Sequence, residues 1–181
     1  FIGLRVRGPD DASLLTVAVH ENARHQVDRV AGWFPPREVG DARRGLLSPQ
    51  AVRRLVRLAL SPRSVRTVLR IVHHVNRRGN FLVSCRVAST LGCYCVARLE
   101  LTRRRPGAVV VSSDNNPEES GFTAAARSVG IASVFISHAY PTAQSVPVDF
   151  DLSLLEGEAA ALARRKLGPV NGEILYVGLE G

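Results

Sequence analysis

The chain has 181 residues, 45% of them hydrophobic and 22% charged, which suits one globular domain and excludes a disordered chain. Its formal net charge is +8, carried almost wholly by arginine, with Lys166 the only lysine. That balance fits an anionic partner (phosphate, nucleic acid or an acidic membrane surface) and equally well an ordinary solvated basic face.

In chain order, Leu14–Val19 is a short run of strand formers and reads as a buried first strand. Helix-compatible sequence follows from Glu21 to Val30. Gly32, Pro35 and Pro36 then break the chain, and residues 36–45 read as a loop. Ser48-Pro49 and Ser61-Pro62 each place a capping hydroxyl before a proline, the signature of a helix start. Val52, Leu55, Val56 and Ala59 share one face of the first helix, and Val65, Val68, Leu69, Val72 and Val75 one face of the second. Arg53, Arg57, Arg66 and Arg70 lie off those stripes, so residues 48–78 form a basic amphipathic helical hairpin.

A long apolar helix is expected from Phe81 to Arg104. Arg86, Arg98 and Glu100 interrupt it, so it reads as a mostly buried helix and not as a span. It carries Cys85, Cys93 and Cys95, an odd set without a CxxC pair or a neighbouring histidine. These read as small buried thiols, not as a disulfide framework or a zinc site. From Ala108 strands and helices alternate. Strands are expected at 108–111, 132–136, 152–155 and 174–177, with helices at 117–129 and 158–167. The fold class is therefore α/β, a Rossmann-like, mainly parallel sheet with helices on both faces.

In such a sheet ligands bind beyond the carboxyl ends of the strands. That rule selects Ser112, Ser113, Asp114, Asn115 and Asn116, then Ser137, His138, Ala139 and Tyr140, then Glu156 and Gly157, and His20-Glu21-Asn22 after the first strand. Asn116, Pro117 and Glu119 read as a capped helix start, with Glu119 in the capping-box position. Glu118 and Glu119 oppose a phosphate there, and no glycine-rich phosphate loop occurs. The loops suit a hydroxyl-bearing ligand better. An imidazole at position 138 can take a proton from an attacking hydroxyl, or it can be a hydrogen-bonded structural histidine. Asp114 is either a base, an orienting partner for His138, or a strand-end Asx turn. His73 and His74 fall on the basic hairpin and suit packing or surface roles. No residue pattern points to a metal.

The runs Pro106–Pro117, Phe135–Thr142, Phe150–Glu158 and Ile174–Gly178 resemble, in order and spacing, the strand-and-turn segments of bacterial capsule-type surface-polysaccharide glycosyltransferases. More distantly they resemble the CDP-glycerol glycerophosphotransferases. The resemblance covers about seventy residues and the helix before them. Ala139 departs from it, standing where glycine is common beside the histidine. It implies a two-domain GT-B enzyme of which residues 1–181 are the acceptor-side half, a piece of a longer protein. The donor half would hold a nucleotide-activated sugar (or glycerophosphate) as substrate, with no other cofactor and no metal.

In that frame His138 takes the place of the family's base with Asp114 nearby. Ser113, Asn115, Asn116, Ser137, Tyr140, Glu156 and Gly157 would line the acceptor site. The acceptor would be a glycan or a lipid-linked glycan, and the enzyme cytoplasmic, peripheral at the inner face of the membrane. Arg53, Arg57, Arg66 and Arg70 would meet that surface. Two rival readings remain: a nucleotide-sugar epimerase of the same architecture, and a non-enzymatic module with an anionic partner. Nucleic acid is the least favoured partner, since aromatic residues do not interleave with the basic run.

Overall fold

The computed structural model describes residues 4–7, 14–18, 21–33, 39–44, 53, 57, 62–76, 81–113, 116–137, 141, 145 and 148–178. The strands are β1 (Leu4–Arg7), β2 (Leu14–Val17), β3 (Val39–Arg44), β4 (Ala108–Val111), β5 (Ala132–Ile136), β6 (Val148–Leu155) and β7 (Val170–Tyr176). The helices are α1 (Glu21–Ala31), α2 (Pro62–Asn76), α3 (Phe81–Arg104), α4 (Pro117–Ser128) and α5 (Glu158–Leu167). The strands make one sheet in the order β1-β3-β2-β4-β5-β6-β7. All neighbours pair in parallel except β1, which runs antiparallel to β3 at the edge. The fold is α/β and Rossmann-like, as the alternation of elements predicts.

The period-two alternation of the strands divides the core between two faces. On one, Leu15, Val17, Val109, Val111, Phe135 and Leu155 pack against α3, α4 and α5 through Ala97, Leu101, Phe122, Ala126 and Ala161. On the other, Val110, Ile136 and Leu154 meet Val27 of α1. Full burial of each large apolar side chain here is worth about 1.5–3 kcal/mol. Phe135 also stacks on Phe150, ring centroids 5.0 Å apart. The guanidinium of the buried Arg164 lies 4.6 Å above the Phe135 ring, a cation–π contact inside the core.

Polar contacts pin the amino ends of the later strands. The backbone N–H and the hydroxyl of Ser133 both donate to Asp151 Oδ2, at 2.7 and 2.8 Å. Arg127 grips Asp149 at Oδ2 and at its carbonyl, both at 2.6 Å, and Asn171 donates to Oδ1 at 3.0 Å. Between β6 and β7 the register slips after Asp149, so Phe150 and Asp151 together face Gly172. This bulge needs glycine: Gly172 has φ +75°, and a Cβ there would meet the carbonyl oxygens of Phe150 and Asp151.

Three expectations are corrected. Residues 39–44, read as loop, form β3; Val-Gly-Asp-Ala-Arg-Arg has no apolar run, and the strand is made by backbone pairing with β2 and β1 on its two sides. The long helix α3 is not mostly buried. Among its described side chains only Ser84, Val96, Ala97 and Leu101 are buried, while Leu82 and Val83 are exposed. The reason is length: its 24 residues span about 36 Å, far more than a four-residue strand can cover. Nor are the cysteines buried thiols: Cys85 is exposed and Cys93 and Cys95 are half-buried. Burial still pushes the Cys95 thiol above its ordinary pKa, against the pull of Arg98.

Candidate functional site

The strand order reverses direction at β2. From β2 the chain goes outward to β3, then returns across β2 to β4 and continues the other way through β5, β6 and β7. The carboxyl ends of β2 and β4 therefore bound the topological switch point, where the connections diverge and leave a crevice. The sequence-selected loops after β4, β5 and β6 all leave the sheet on this edge.

The chemistry changes abruptly there. Val109, Val110 and Val111 fill β4 with apolar burial, and the next two residues, Ser112 and Ser113, are buried and polar. Val111 pairs with Phe135, and Ser112-Ser113 and Ser137 follow directly on the ends of these two adjacent strands. Ser137 is also buried, and its N–H donates to the carbonyl of Leu154 at 2.9 Å. Burying polar groups costs about 1–3 kcal/mol each unless they are hydrogen-bonded. Buried polar side chains also occur within the sheet, at Thr16, Ser133 and Ser153, and Ser112, Ser113 and Ser137 extend that polar set to the carboxyl edge, where the crevice lies.

The start of α4 adds two carboxylates. Glu118 and Glu119 are both buried, although the sequence suggested only first-turn acids. Asn116 has the extended backbone of a helix cap, but its side chain makes no cap hydrogen bond. Its amide instead donates to Glu119 Oε2 at 2.9 Å, because a buried carboxylate requires a donor more than the helix end does. The expected capping box is therefore replaced by a side-chain pair. On the far side of Ser137, Glu156 is half-buried with both carboxylate oxygens enclosed and without a hydrogen-bond partner among the described residues. Gly157 follows it as the extended cap of α5.

The candidate base His138 and its neighbour Asp114 lie outside the described residues, as do Asn115, Ala139, Tyr140 and His20. In the sequence Asp114 follows Ser113 and His138 follows Ser137. Arg53, Arg57, Arg66 and Arg70 are helical and exposed, and belong to a different surface. A groove along α2, lined by Pro62, Val65, Arg66, Leu69, Arg70 and His73, is part of that surface and not of the crevice. Among the described residues no group of three His, Cys, Asp or Glu side chains is placed to hold a metal.

The shifted carboxylates lie at the opposite end of the sheet. Hydrogen bonds from Asn171 and then Arg127 hold Asp149 below the usual carboxylate range, and the Ser133 N–H followed by its hydroxyl does the same for Asp151. Both are structural, fastening strand ends. The buried pair Glu118–Glu119 is what sequence reasoning missed. Its one signal is two acids followed by the small residues Ser120 and Gly121, which let the first turns of α4 pack closely. No family model, curated protein or solved structure matches this chain.

Proposed function

We propose that this chain is the acceptor-side domain of a GT-B-type glycosyltransferase, with a polyhydroxylated acceptor bound at the crevice between β2, β4 and β5. The observation that carries the reading is the chemistry of the switch point. A dinucleotide-binding sheet places a glycine-rich turn and a bare helix N-terminus there to receive phosphate. Here the same position has buried serines and the buried carboxylates Glu118 and Glu119. Acids at this helix start disfavour a phosphate, which favours a neutral, hydroxyl-bearing ligand over a nucleotide.

The resemblance supplies the reaction. In that reaction His138 would accept the proton of an acceptor hydroxyl as that oxygen attacks the anomeric carbon of the donor, with Asp114 as a second base or as the partner that orients it. The bond from that carbon to the leaving phosphate breaks, and its electron pair departs with the nucleoside diphosphate. Helix N-terminus and basic groups of a second Rossmann-like half take up that charge.

A titration of this chain followed by amide NMR tests the acceptor assignment. A neutral oligosaccharide is expected to shift the amides of Ser112, Ser113 and Ser137, and a nucleoside diphosphate to leave them in place. Nucleotide binding at those amides overturns the reading. In a protein that also has the donor half, His138→Ala is expected to lower kcat about 10²–10⁴-fold with little change in donor KM. An epimerised sugar as product, with no new linkage, would assign the site to an epimerase instead.

A further inference from the structure

The net charge of the molecule is segregated. Residues 42–99 contain twelve arginines and no aspartate or glutamate, while the rest of the chain sets twelve basic residues against all sixteen acidic ones. All the positive excess thus belongs to the segment that holds α2 and most of α3. The crevice described above has the opposite character.

This basic segment also leaves apolar side chains in water. Val65 and Leu69 on α2 are 39% and 62% exposed, and Leu82 and Val83 in the first turn of α3 are 75% and 44% exposed. On α2, Leu69 and Val65 line the same groove as Arg66, Arg70 and His73. The position of α3 explains the exposure. Gly121, in the second turn of α4, packs on Cys93 and Tyr94, and α4 starts at the carboxyl edge of the sheet. Residues 81–92 therefore extend from that contact toward and past the sheet's carboxyl edge, Phe81 lying about 18 Å from it along the helix.

We propose that the hairpin of α2 and the overhanging half of α3 docks in the plane of an anionic phospholipid bilayer. Leu69 and Leu82 enter the boundary between headgroups and acyl chains, and the arginines meet lipid phosphates. Such a surface needs a strong basic face beside exposed aliphatic side chains, and both are present. A nucleic-acid surface would instead present aromatic platforms, and between Gly45 and Cys93 the only Phe, Tyr or Trp is Phe81. Although α3 is long and apolar enough to cross a membrane, Val96, Ala97 and Leu101 sit in the protein core, so the helix lies along the surface. The proposal goes beyond the carbohydrate reading and does not depend on it.

Co-sedimentation of the 181-residue chain with extruded vesicles tests it, comparing phosphatidylcholine alone with a mixture containing phosphatidylglycerol. The expected result is at least tenfold stronger partition onto the anionic vesicles, weakened by added salt. Arg66→Gln and Arg70→Gln should each lower partition about fivefold. Leu69→Ser and Leu82→Ser should lower it too, with an unchanged circular dichroism spectrum. Four outcomes overturn the proposal. These are equal partition onto both vesicle types; full binding by the leucine variants; tighter binding to an oligonucleotide than to anionic vesicles at the same salt; and self-association abolished by Leu69→Ser without vesicle binding. Ser113→Ala is expected to bind vesicles as the parent does, which separates this test from that of the crevice.

Discussion

Gly121→Ala sets two effects of known size against each other. Glycine inside a helix costs about 1 kcal/mol relative to alanine, so propensity alone predicts stabilisation of that amount. The structure predicts the reverse. A Cβ at position 121 would lie 2.7 Å from Cys93 Cβ, 2.8 Å from Tyr94 N and 3.0 Å from Cys93 C. Carbon atoms settle at about 3.5–4.0 Å, so the overlap is close to 1 Å, and none of the three atoms is the tip of a flexible side chain. The axes of α3 and α4 must separate, which loosens Ala97, Leu101, Phe122 and Ala125 beneath them. Overpacking of this kind costs about 1–3 kcal/mol. Subtracting the propensity gain leaves a net loss of up to about 2 kcal/mol, a fall in Tm of up to about 8 °C for a chain of this length. Urea unfolding followed by circular dichroism measures it. Ala124→Gly, at an exposed position of the same helix, calibrates the propensity term at a loss of about 1 kcal/mol. If Gly121→Ala is more stable than the parent by the same amount, the close approach of the two helices is refuted.

Gly172→Ala is expected to cost about 2–3 kcal/mol, because it combines a left-handed backbone with a clash against the Phe150 and Asp151 carbonyls; amide exchange of β6 and β7 should quicken more than that of β4, and uniform protection would count against the bulge. The depressed Asp149 and Asp151 set the acid limb of stability. A carboxyl whose folded pKa lies below its unfolded value of about 4 contributes fully above that value, and the contribution is lost as pH falls through the folded pKa. Urea midpoints should therefore drop below about pH 4, and Asp151→Asn should lower the neutral-pH midpoint and flatten that drop. An acid limb as steep as the parent's would mean other carboxylates govern it.

Much of the fold was legible because local and tertiary signals agree. Pro62, Pro117, Gly130 and Gly168 punctuate the helices where the structure ends them, and the valine run of β4 can only be a buried strand. What was not legible depends on partners distant in sequence. β3 has no hydrophobic pattern and is a strand because β1 and β2 flank it. The exposure of Leu82 and Cys85 follows from how far α3 outruns the sheet, which a periodicity cannot state. The rule of carboxyl ends places Ser113 and Ser137 just beyond their strands, where the structure has them. It could not find the burial of Glu119, which arises when Gly121 draws α4 against α3.

The direct pairing of β2 with β4 has a consequence for how the chain assembles. Thr16 and Val110 are neighbours in the sheet although about ninety residues separate them, and closing such a span is a slow, entropically costly step. During synthesis at about 5–20 residues per second, Leu15 and Val17 emerge many seconds before the strand that will cover them. In that interval the amino-terminal strands can pair only with one another, and their apolar face is open to other chains. Folding of the centre must wait for the ribosome to finish the helical excursion between them, so slower translation through residues 45–104 prolongs the period in which aggregation competes with the native sheet.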